Sequence, residues 1–339
     1  MEHPRPGAEF AHTEHEITEP VDLAHGARLN PAAVGWSRIP LHRTAISGWG
    51  RTKRWEYWGI VTDRWVIGLT VAGLDYLALA GLYVFDRATG EEIARDGVAP
   101  AGHPRLGDAP GDGSAWLAAG LGGGTVTVGV EDRPGLTSLH AEGRGIAVEA
   151  EVRRPAHDAL AVVVPWSARH FQYTLKDLAN PVTGSITING TTHDIGRGWA
   201  VLDRGRGRWR WANIWNWGAG SGVVDGSTRA IQVGGRWTDG TGCTENGLLV
   251  DGRMHKIGED LTWDYDLSDA GARWHVRGER IDAVLTPFHR RRAITELGVL
   301  AVRTHQAFGE WHGTGILDDG REVSLDGLVG WAEESRNRW

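Results

Sequence analysis

Cysteine is nearly absent from this chain of 339 residues, in which Cys243 stands alone. A single thiol can form neither an internal disulfide nor a zinc site built on several cysteines. The first residues also lack the basic start and apolar run of a secretory signal. These absences together predict a cytoplasmic protein.

Positive charge is in deficit as well, since 36 Lys and Arg residues face 43 Asp and Glu residues, for a net charge of -7. A surface of this kind has no electrostatic attraction for a phosphate backbone. The composition therefore predicts that nucleic acid is not a partner.

An uninterrupted apolar run of membrane-spanning length is also missing. The segment Trp65–Phe85 is long enough to cross a bilayer, but Asp75 lies at its centre, where a carboxylate is costly in hydrocarbon. Two strands joined near Gly73 and Leu74 explain the segment better, and we predict no integral membrane segment.

Helical patterns are lacking too, because no stretch shows a capped 3.6-residue period over three turns. Short strand-like runs alternate instead with turns, and 49 glycines suit the tight turns between them. Three dipeptides are strong two-residue hairpin signals: Asn189-Gly190, Asp251-Gly252 and Asp319-Gly320. The pattern predicts an all-β protein, in which closure into barrels would remove exposed edges.

The chain divides by pattern into three parts. Residues 1–30 are polar and indicate a tail or an outer wrapping segment, residues 31–165 a first barrel, and residues 166–339 a second. Pro165–Leu178 has few strand signals, and we predict that it links the two halves.

Motifs of metal and cofactor chemistry are missing from the sequence. The 15 histidines form no H-E-x-x-H or H-x-H pattern, no glycine-rich phosphate loop precedes a helix, and no G-x-S-x-G elbow is present. We therefore predict no metal site and no cofactor.

Tryptophan is abundant, with 18 residues against five each of Tyr and Phe, and it is densest in Gly198–Gly222. If Arg208–Trp217 is one strand, alternate side chains share a face: Trp209, Trp211, Asn213, Trp215 and Trp217. These indoles either fill a core or form a ligand wall. Four indoles on alternate positions are hard to pack tightly, which favours the ligand wall. Trp199 and Arg206 of the same segment are further predicted ligand contacts.

Two carboxyls are candidates for acid–base chemistry. Asp203 precedes the tryptophans, and desolvation by indoles would suit it to act as a general acid; alternatively it pairs with a neighbouring arginine or caps a turn. Glu245 would be the second carboxyl, with Asn246 beside it as a ligand contact, unless Thr244–Gly247 is simply a surface turn.

A third candidate pair lies near the end of the chain. Glu310 and His312 share one face of a predicted strand around Phe308. They point either at the ligand, with His312 as a catalytic residue, or into solvent.

Several of these segments also carry a resemblance. The central signature of the lipocalin-like carotenoid 1,2-hydratase superfamily resembles five stretches of the chain: Phe171–Thr174, Val182–Ser185, Gly198–Ala200, Asp203 and Trp215–Trp217. Almost the whole chain is similar to the family named domain of unknown function 2804, through five further stretches: Glu14–Thr18, Gly35–Arg38, Arg54–Trp58, Thr244–Asn246 and Gln306–Gly309 with Arg338–Trp339.

The resemblance implies two consecutive lipocalin-like antiparallel β-barrels, with a pocket lined by the second signature. In the hydratase branch an acid protonates an isoprenoid double bond, and water then traps the cation. The position of that acid matches Asp203, and an aromatic position matches Trp217.

Three functions remain open at this point. The first is an enzyme that transfers protons to a small apolar alkene or isoprenoid, with Asp203 as the donor and Glu245 or His312 orienting water. The second is a non-catalytic protein that binds a lipid or pigment. The third is a carbohydrate-active protein, in which indoles stack on sugars and Asp203 pairs with Glu245.

Overall fold

The computed structural model describes residues 14–109, 112–120, 124–297 and 300–339. Within these ranges the chain forms strands, one 3₁₀ turn at Pro31–Ala33 and no α-helix. No helix in the described part is long and apolar enough to cross a membrane. The all-β prediction is confirmed.

The first eighteen strands, in chain order, are β1 (Val21–Asp22), β2 (Ala24–His25), β3 (Arg28–Leu29), β4 (Trp36–Ser37), β5 (His42–Arg43), β6 (Thr52–Thr62), β7 (Trp65–Gly73), β8 (Leu77–Asp86), β9 (Glu92–Pro100), β10 (Arg105–Leu106), β11 (Ala115–Ala119), β12 (Val126–Arg133), β13 (Leu136–Gly143), β14 (Ile146–Arg153), β15 (Leu160–Ser167), β16 (His170–Ile188), β17 (Thr191–Asp194) and β18 (Gly198–Arg208). The other ten are β19 (Ala212–Val224), β20 (Ser227–Gly235), β21 (Asn246–Val250), β22 (Arg253–Ile257), β23 (Thr262–Asp264), β24 (Trp274–Arg277), β25 (Ile281–Leu297), β26 (Leu300–Ile316), β27 (Glu322–Ser324) and β28 (Leu328–Arg338).

Two large antiparallel sheets follow one another along the chain. The first runs in the order β10-β11-β12-β13-β14-β16-β18-β6-β7-β8-β9, with β4, β15 and β17 attached through β16. The strands β8 and β9 contact β11 and β12 from the other flank, so this sheet curls round on itself. The second runs β22-β21-β20-β19-β28-β26-β25-β24-β23, with β27 on β26. Two curled sheets in succession agree with the predicted pair of lipocalin-like barrels.

One apolar core contains residues of both sheets, and a second core lies within the second sheet. Trp331 on β28 packs so closely on Gly59 of β6 that a Cβ at Gly59 would lie 2.4 Å from its ring. Glycine is therefore required there to let the indole of one sheet enter the other. The strand β16 also contacts β19 and β20 of the second sheet.

The described part of the N-terminal segment, from residue 14, lies against both halves of the protein. Leu23 is buried in the shared core, while Glu14 pairs with Lys256 on β22. Residues 1–13 of the predicted tail lie outside the described residues.

All three predicted hairpins form, the first two through two-residue turns and the third through the longer loop of residues 318–320. Asn189-Gly190 and Asp251-Gly252 have positive φ at both positions, as a type I′ turn requires, and Gly320 has a φ of 83°. The segment Trp65–Phe85 forms β7 and most of β8, as its central Asp75 indicated.

The predicted linker Pro165–Leu178 is wrong. It contains the start of β16, a strand of 19 residues at the centre of the first sheet. Lys176 and Asp177 interrupt its apolar pattern, but both are buried in ion pairs. The first sheet therefore extends to Arg208 and the second begins at Ala212, so the boundary at residue 165 is corrected to this junction.

Candidate active site between the two sheets

A buried lysine and aspartate on neighbouring strands form the centre of the candidate site. Lys176 on β16 is the cross-strand partner of Asp203 on β18, which is in turn the partner of Tyr57 on β6. Because cross-strand partners point to the same face of a sheet, these three side chains lie in one row. The Nζ atom of Lys176 lies 2.8 Å from Oδ1 of Asp203.

Asp203 is surrounded by hydrogen-bond donors. Nε1 of Trp55 donates to its Oδ2 over 3.1 Å, and Oγ1 of Thr174 donates to Oδ1 over 3.3 Å. With Lys176 on Oδ1 as well, both oxygens already act as acceptors. This geometry suits Asp203 to hold the lysine in place.

Glu245 reaches the same lysine from the second sheet. It immediately precedes β21, is 1% exposed, and has its Oε2 3.9 Å from Nζ of Lys176. Burial raises the pKa of Glu245 to about 7, although attraction to Lys176 acts in the opposite direction. Its Oε1 is buried without a hydrogen-bond partner among the described residues. Near neutral pH, both the protonated and the ionised form of this carboxyl are therefore populated.

Glu333 on β28 is a third buried carboxyl of the site. Burial raises its pKa to about 7, although the hydrogen bond from Trp215 and the charge of Lys176 lower it. Nε1 of Trp215 donates to Oε1 of Glu333 over 2.9 Å. The site thus contains two carboxyls able to exchange a proton near neutral pH.

An indole covers the lysine. The ring of Trp217 lies 4.2 Å from Nζ of Lys176, the distance of a cation–π contact. Its Nε1 donates to Gln232 over 3.0 Å, and the ring packs edge-on against Tyr57 and Trp331. Burial raises the pKa of Tyr57 to about 12, so its phenol stays protonated. The site therefore presents an aromatic face where positive charge is stabilised.

The predicted single wall from Trp209 to Trp217 is wrong. The strand β18 ends at Arg208 and β19 begins at Ala212, so the alternation of side chains is broken between them. Trp211 is 41% exposed, whereas Trp209 is buried. An aromatic cluster surrounds Trp209 instead, formed by Trp55, Trp166, Trp215, Trp237 and Trp339.

Two of the predicted ligand contacts have structural partners. Arg206 lies on the opposite face of β18 from Asp203, fully buried, and pairs with Glu56 over 2.8 Å. Oδ1 of Asn246 accepts from the backbone of Gly234, and its amide donates to the backbone of Glu259. Both side chains are therefore engaged by the protein itself.

Trp199 lies on β18 at a half-buried position with the same strand parity as Asp203, four residues away. It packs against the shared apolar core. The structure gives it no contact with the Lys176 centre.

Glu310 and His312 lie outside the site, on the outer face of β26. Their side chains are 49% and 45% exposed, because Trp311 between them is the residue that points into the core. His312 lines an open surface groove that also contains Arg273 and Asp282. The structure therefore brings Asp203, Glu245 and Trp217 together, but not His312 or Glu310.

The residues that the sequence reasoning missed are Lys176, Glu333, Trp55 and Tyr57. Trp55 and Tyr57 stand within the Arg54–Trp58 stretch that carries the family resemblance, and this was the available signal for them. No sequence pattern pointed to Lys176 or Glu333, because a charged residue in a strand is normally expected on a solvated face.

Comparison with protein families identifies the chain. The family model described as Domain of unknown function (DUF2804) matches residues 14–339. The chain belongs to this family. No curated protein matches it significantly.

Among solved structures, the DUF2804 chain is similar to an AttH-like protein from Nitrosomonas europaea, with 14% identity and a TM-score of 0.52 over 85% of this chain and 92% of the other. It is also similar to kievitone hydratase from Nectria haematococca, with 9% identity and a TM-score of 0.52 over 86% and 89%. At these identities the likeness concerns the fold.

Proposed function

We propose that this DUF2804 protein is an enzyme that protonates a carbon–carbon double bond of a small, largely apolar substrate. The proposal is carried by one observation: Glu245, whose pKa is raised to about 7, lies in the same buried centre as Trp217 and Lys176. An acid with a pKa near the working pH combines a sufficient protonated fraction with a driving force for transfer.

The proton donor in this proposal is Glu245, and Asp203 has a different role. Both oxygens of Asp203 accept hydrogen bonds or the ion pair from the protein, whereas Oε1 of Glu245 has no partner among the described residues. Asp203 would therefore fix Lys176, and Lys176 would stabilise the carboxylate that Glu245 becomes after it has given up its proton.

The proposed reaction has two steps. The proton of Glu245 forms a C–H bond with one alkene carbon, and the other carbon becomes a cation that the carboxylate left on Glu245 would stabilise. Water then adds to the cation and loses a proton to Glu333 or Glu245, which gives a hydratase. Loss of a proton from a neighbouring carbon would instead give an isomerase or a cyclase.

The fold supports the hydratase class at a coarse level, because one similar structure is named a hydratase. The partly accessible surfaces of Trp55, Tyr57 and Trp215 would provide contact area for an apolar substrate.

The two other candidate functions fit the site less well. A protein that only stores an apolar ligand gains nothing from three buried carboxyls, which are costly to desolvate. A carbohydrate-active site of the predicted kind needs Asp203 as a free carboxylate, yet both of its oxygens already accept hydrogen bonds or the ion pair from the protein.

The test is proton incorporation from labelled solvent. The protein is incubated in D₂O with β-myrcene, β-farnesene, squalene or lycopene as solubilised probes, and deuterium in recovered probe or product is measured by mass spectrometry. Glu245→Gln should lower the rate by roughly 10²–10⁴-fold, the range for a lost general acid. Glu310→Gln, an exposed glutamate of the same length, should leave it unchanged.

Two results would contradict the proposal. Equal rates for Glu245→Gln and wild type would remove Glu245 as the donor. A failure of every probe to acquire deuterium would remove this substrate class, and native mass spectrometry of freshly purified protein would then identify the compound that is bound.

A further inference from the structure

Three arginines lie together at the junction between the two sheets. Arg208 ends β18, Arg210 follows in the connection to β19, and Arg51 precedes β6. All three act on His170, whose pKa is lowered first by burial and then by repulsion from each of them. We call Arg51, Arg208 and Arg210 the arginine cluster.

The cluster has no carboxylate side chain as a partner among the described residues. Nη1 of Arg208 donates to the backbone oxygen of Ser47 over 3.2 Å, and Nη2 of Arg210 to that of Trp166 over 3.5 Å. Nε of Arg208 is buried without a hydrogen-bond partner in the described structure. Nη1 of Arg51 donates to the backbone oxygen of Trp339 over 3.3 Å. All three guanidiniums thus donate to backbone oxygens, and in a protein with a net charge of -7 cations gathered in this way indicate a site for an anion.

Exposed indoles border the arginine cluster. The guanidinium of Arg51 lies 5.3 Å from the ring of Trp211, which is 41% exposed. Trp49 is 74% exposed and follows Gly48, whose backbone lies directly under Arg208: a Cβ there would be 2.4 Å from Nη1. Cationic and apolar surface therefore occur side by side.

A chain of indoles connects this surface with the candidate active site. The backbone N–H of Trp339 donates to Trp211, and its ring lies 5.8 Å from that of Trp209. Trp209 is 5.5 Å from Trp55, which donates to Asp203. Trp339 and Trp55 are half-buried and Trp209 between them is 1% exposed, so the accessible apolar surface lies at the two ends of this chain of indoles.

We propose that the arginine cluster binds the anionic head group, phosphate or carboxylate, of an amphiphile whose apolar part follows the indoles toward Asp203. Guanidinium groups match the planar and tetrahedral oxygens of these anions with paired hydrogen bonds. The reaction of the apolar part rests on the proposed function, whereas binding of the head group does not.

The experiment measures binding, independently of turnover. Dodecyl phosphate below its micelle concentration, dodecanol and inorganic phosphate are titrated by calorimetry into the full chain. Dodecyl phosphate should bind more tightly than either of the others, because it alone carries both the head and the chain.

Arg208→Gln/Arg210→Gln should weaken dodecyl phosphate about tenfold for each arginine, the effect of a lost charge-assisted hydrogen bond, and leave dodecanol unchanged. The matched control is Arg153→Gln/Arg253→Gln, which removes two exposed arginines from β14 and β22. Arg208→Lys/Arg210→Lys keeps the charge and should retain part of the affinity. Thermal melting verifies that each variant is folded.

Three results would overturn the inference. Equal affinity for dodecyl phosphate and dodecanol would show that the head group is not recognised. Equal losses in the cluster variant and in the control would assign the effect to net charge. Binding to phosphatidylglycerol vesicles, but not to phosphatidylcholine vesicles or to monomeric dodecyl phosphate, would make the surface a membrane contact instead.

If dodecyl phosphate binds as expected while no alkene probe acquires deuterium, the head-group site stands and the proposed reaction fails. The opposite combination would retain the reaction and remove the anionic amphiphile as the substrate class.

Discussion

Lys176 and Asp203 face each other on adjacent strands, with Nζ and Oδ1 2.8 Å apart and both side chains buried. The same ammonium lies 3.9 Å from Glu245 of the second sheet. One cation therefore joins carboxyls from both sheets, and a change at Asp203 alters the charge that Glu245 experiences. Because of this coupling, the variant Asp203→Asn can distinguish a role for Asp203 in holding Lys176 from a role as the proton donor.

Asp203→Asn should lower both stability and the pKa of Glu245. Removing one partner of a buried ion pair typically costs about 3–5 kcal/mol. In the wild-type protein, repulsion from Asp203 raises the pKa of Glu245, and attraction to Lys176 lowers it. With Asp203 neutral, the alkaline limb of the pH–rate profile, where Glu245 loses its proton, should move to lower pH, while turnover persists below it.

Urea unfolding and a pH–rate profile on the same sample test this outcome. If Asp203 were itself the proton donor, Asp203→Asn would lose turnover at every pH by roughly 10²–10⁴-fold. Such a loss of turnover in folded protein would identify Asp203, and not Glu245, as the general acid.

Stability should fall as the pH rises from about 4.5 to about 7. Burial raises the pKa of Glu245 and of Glu333 from 4.5 to about 7, so over this window the folded state holds protons that the unfolded chain has released. Ionisation of each carboxyl therefore destabilises the folded state by up to about 3 kcal/mol. The full loss of stability is reached above about pH 7, and there is no loss below about pH 4.5.

Urea midpoints measured across this range check the slope. Glu245→Gln should flatten it by about half and raise stability at pH 8, whereas the exposed Glu310→Gln should leave it unchanged. An unaltered slope in Glu245→Gln would mean that this carboxyl titrates normally.

The local signals in the sequence predicted much of the fold, because hairpins depend on a few adjacent residues. Asn189-Gly190 and Asp251-Gly252 adopt positive φ at both positions, and Asp75 adopts a φ of 50° in the turn that separates β7 from β8. None of these turns required knowledge of distant contacts.

The candidate site was harder to predict, because long-range pairing hides its charges. Lys176 reads as a solvated residue until Asp203, 27 positions later, becomes its cross-strand partner. The predicted tryptophan wall was wrong for a local reason. The three residues between β18 and β19 leave the sheet, and Trp211 among them lies at the surface.

Trp217→Phe should weaken function more than folding. Phenylalanine keeps an aromatic ring near Lys176, but it loses the hydrogen bond to Gln232 and the stronger cation–π face of indole. We expect a stability loss of about 1–2 kcal/mol and a turnover loss of about tenfold or more. Trp116→Phe, at an exposed position on β11, is the matched control for turnover.

Deuterium incorporation and thermal melting measure the two effects separately. If Trp217→Phe reduces the rate only in proportion to its unfolded fraction, the indole is a core filler and contributes nothing to the reaction.

The N-terminal segment should hold the loop that carries Glu245. Oε1 of Glu14 accepts from the backbone N–H of Thr244 over 3.1 Å, and its Oε2 pairs with Lys256 over 2.7 Å. Lys256 also donates to Oγ1 of Thr244 over 2.6 Å. Because Glu245 is the next residue, this buried network fixes the acid from the outside.

The single thiol of the protein reports on this loop. Cys243 is fully buried, and burial raises the pKa of its thiol to about 12, so it should react slowly in the native protein. Glu14→Gln leaves Lys256 buried without its carboxylate, which should promote local opening. A loss of 1.4 kcal/mol in the opening free energy corresponds to about tenfold faster modification.

The measurement is the rate of reaction with a small thiol reagent at fixed pH, with global stability followed by urea unfolding. Glu16→Gln is the matched control, because Glu16 is an exposed glutamate on the same segment that pairs with Arg38. Its rate should equal that of wild type. Identical thiol rates in Glu14→Gln and Glu16→Gln would show that the loop holds Glu245 without help from the N-terminal segment, whereas a selective rise identifies Glu14 as the residue that keeps the loop closed.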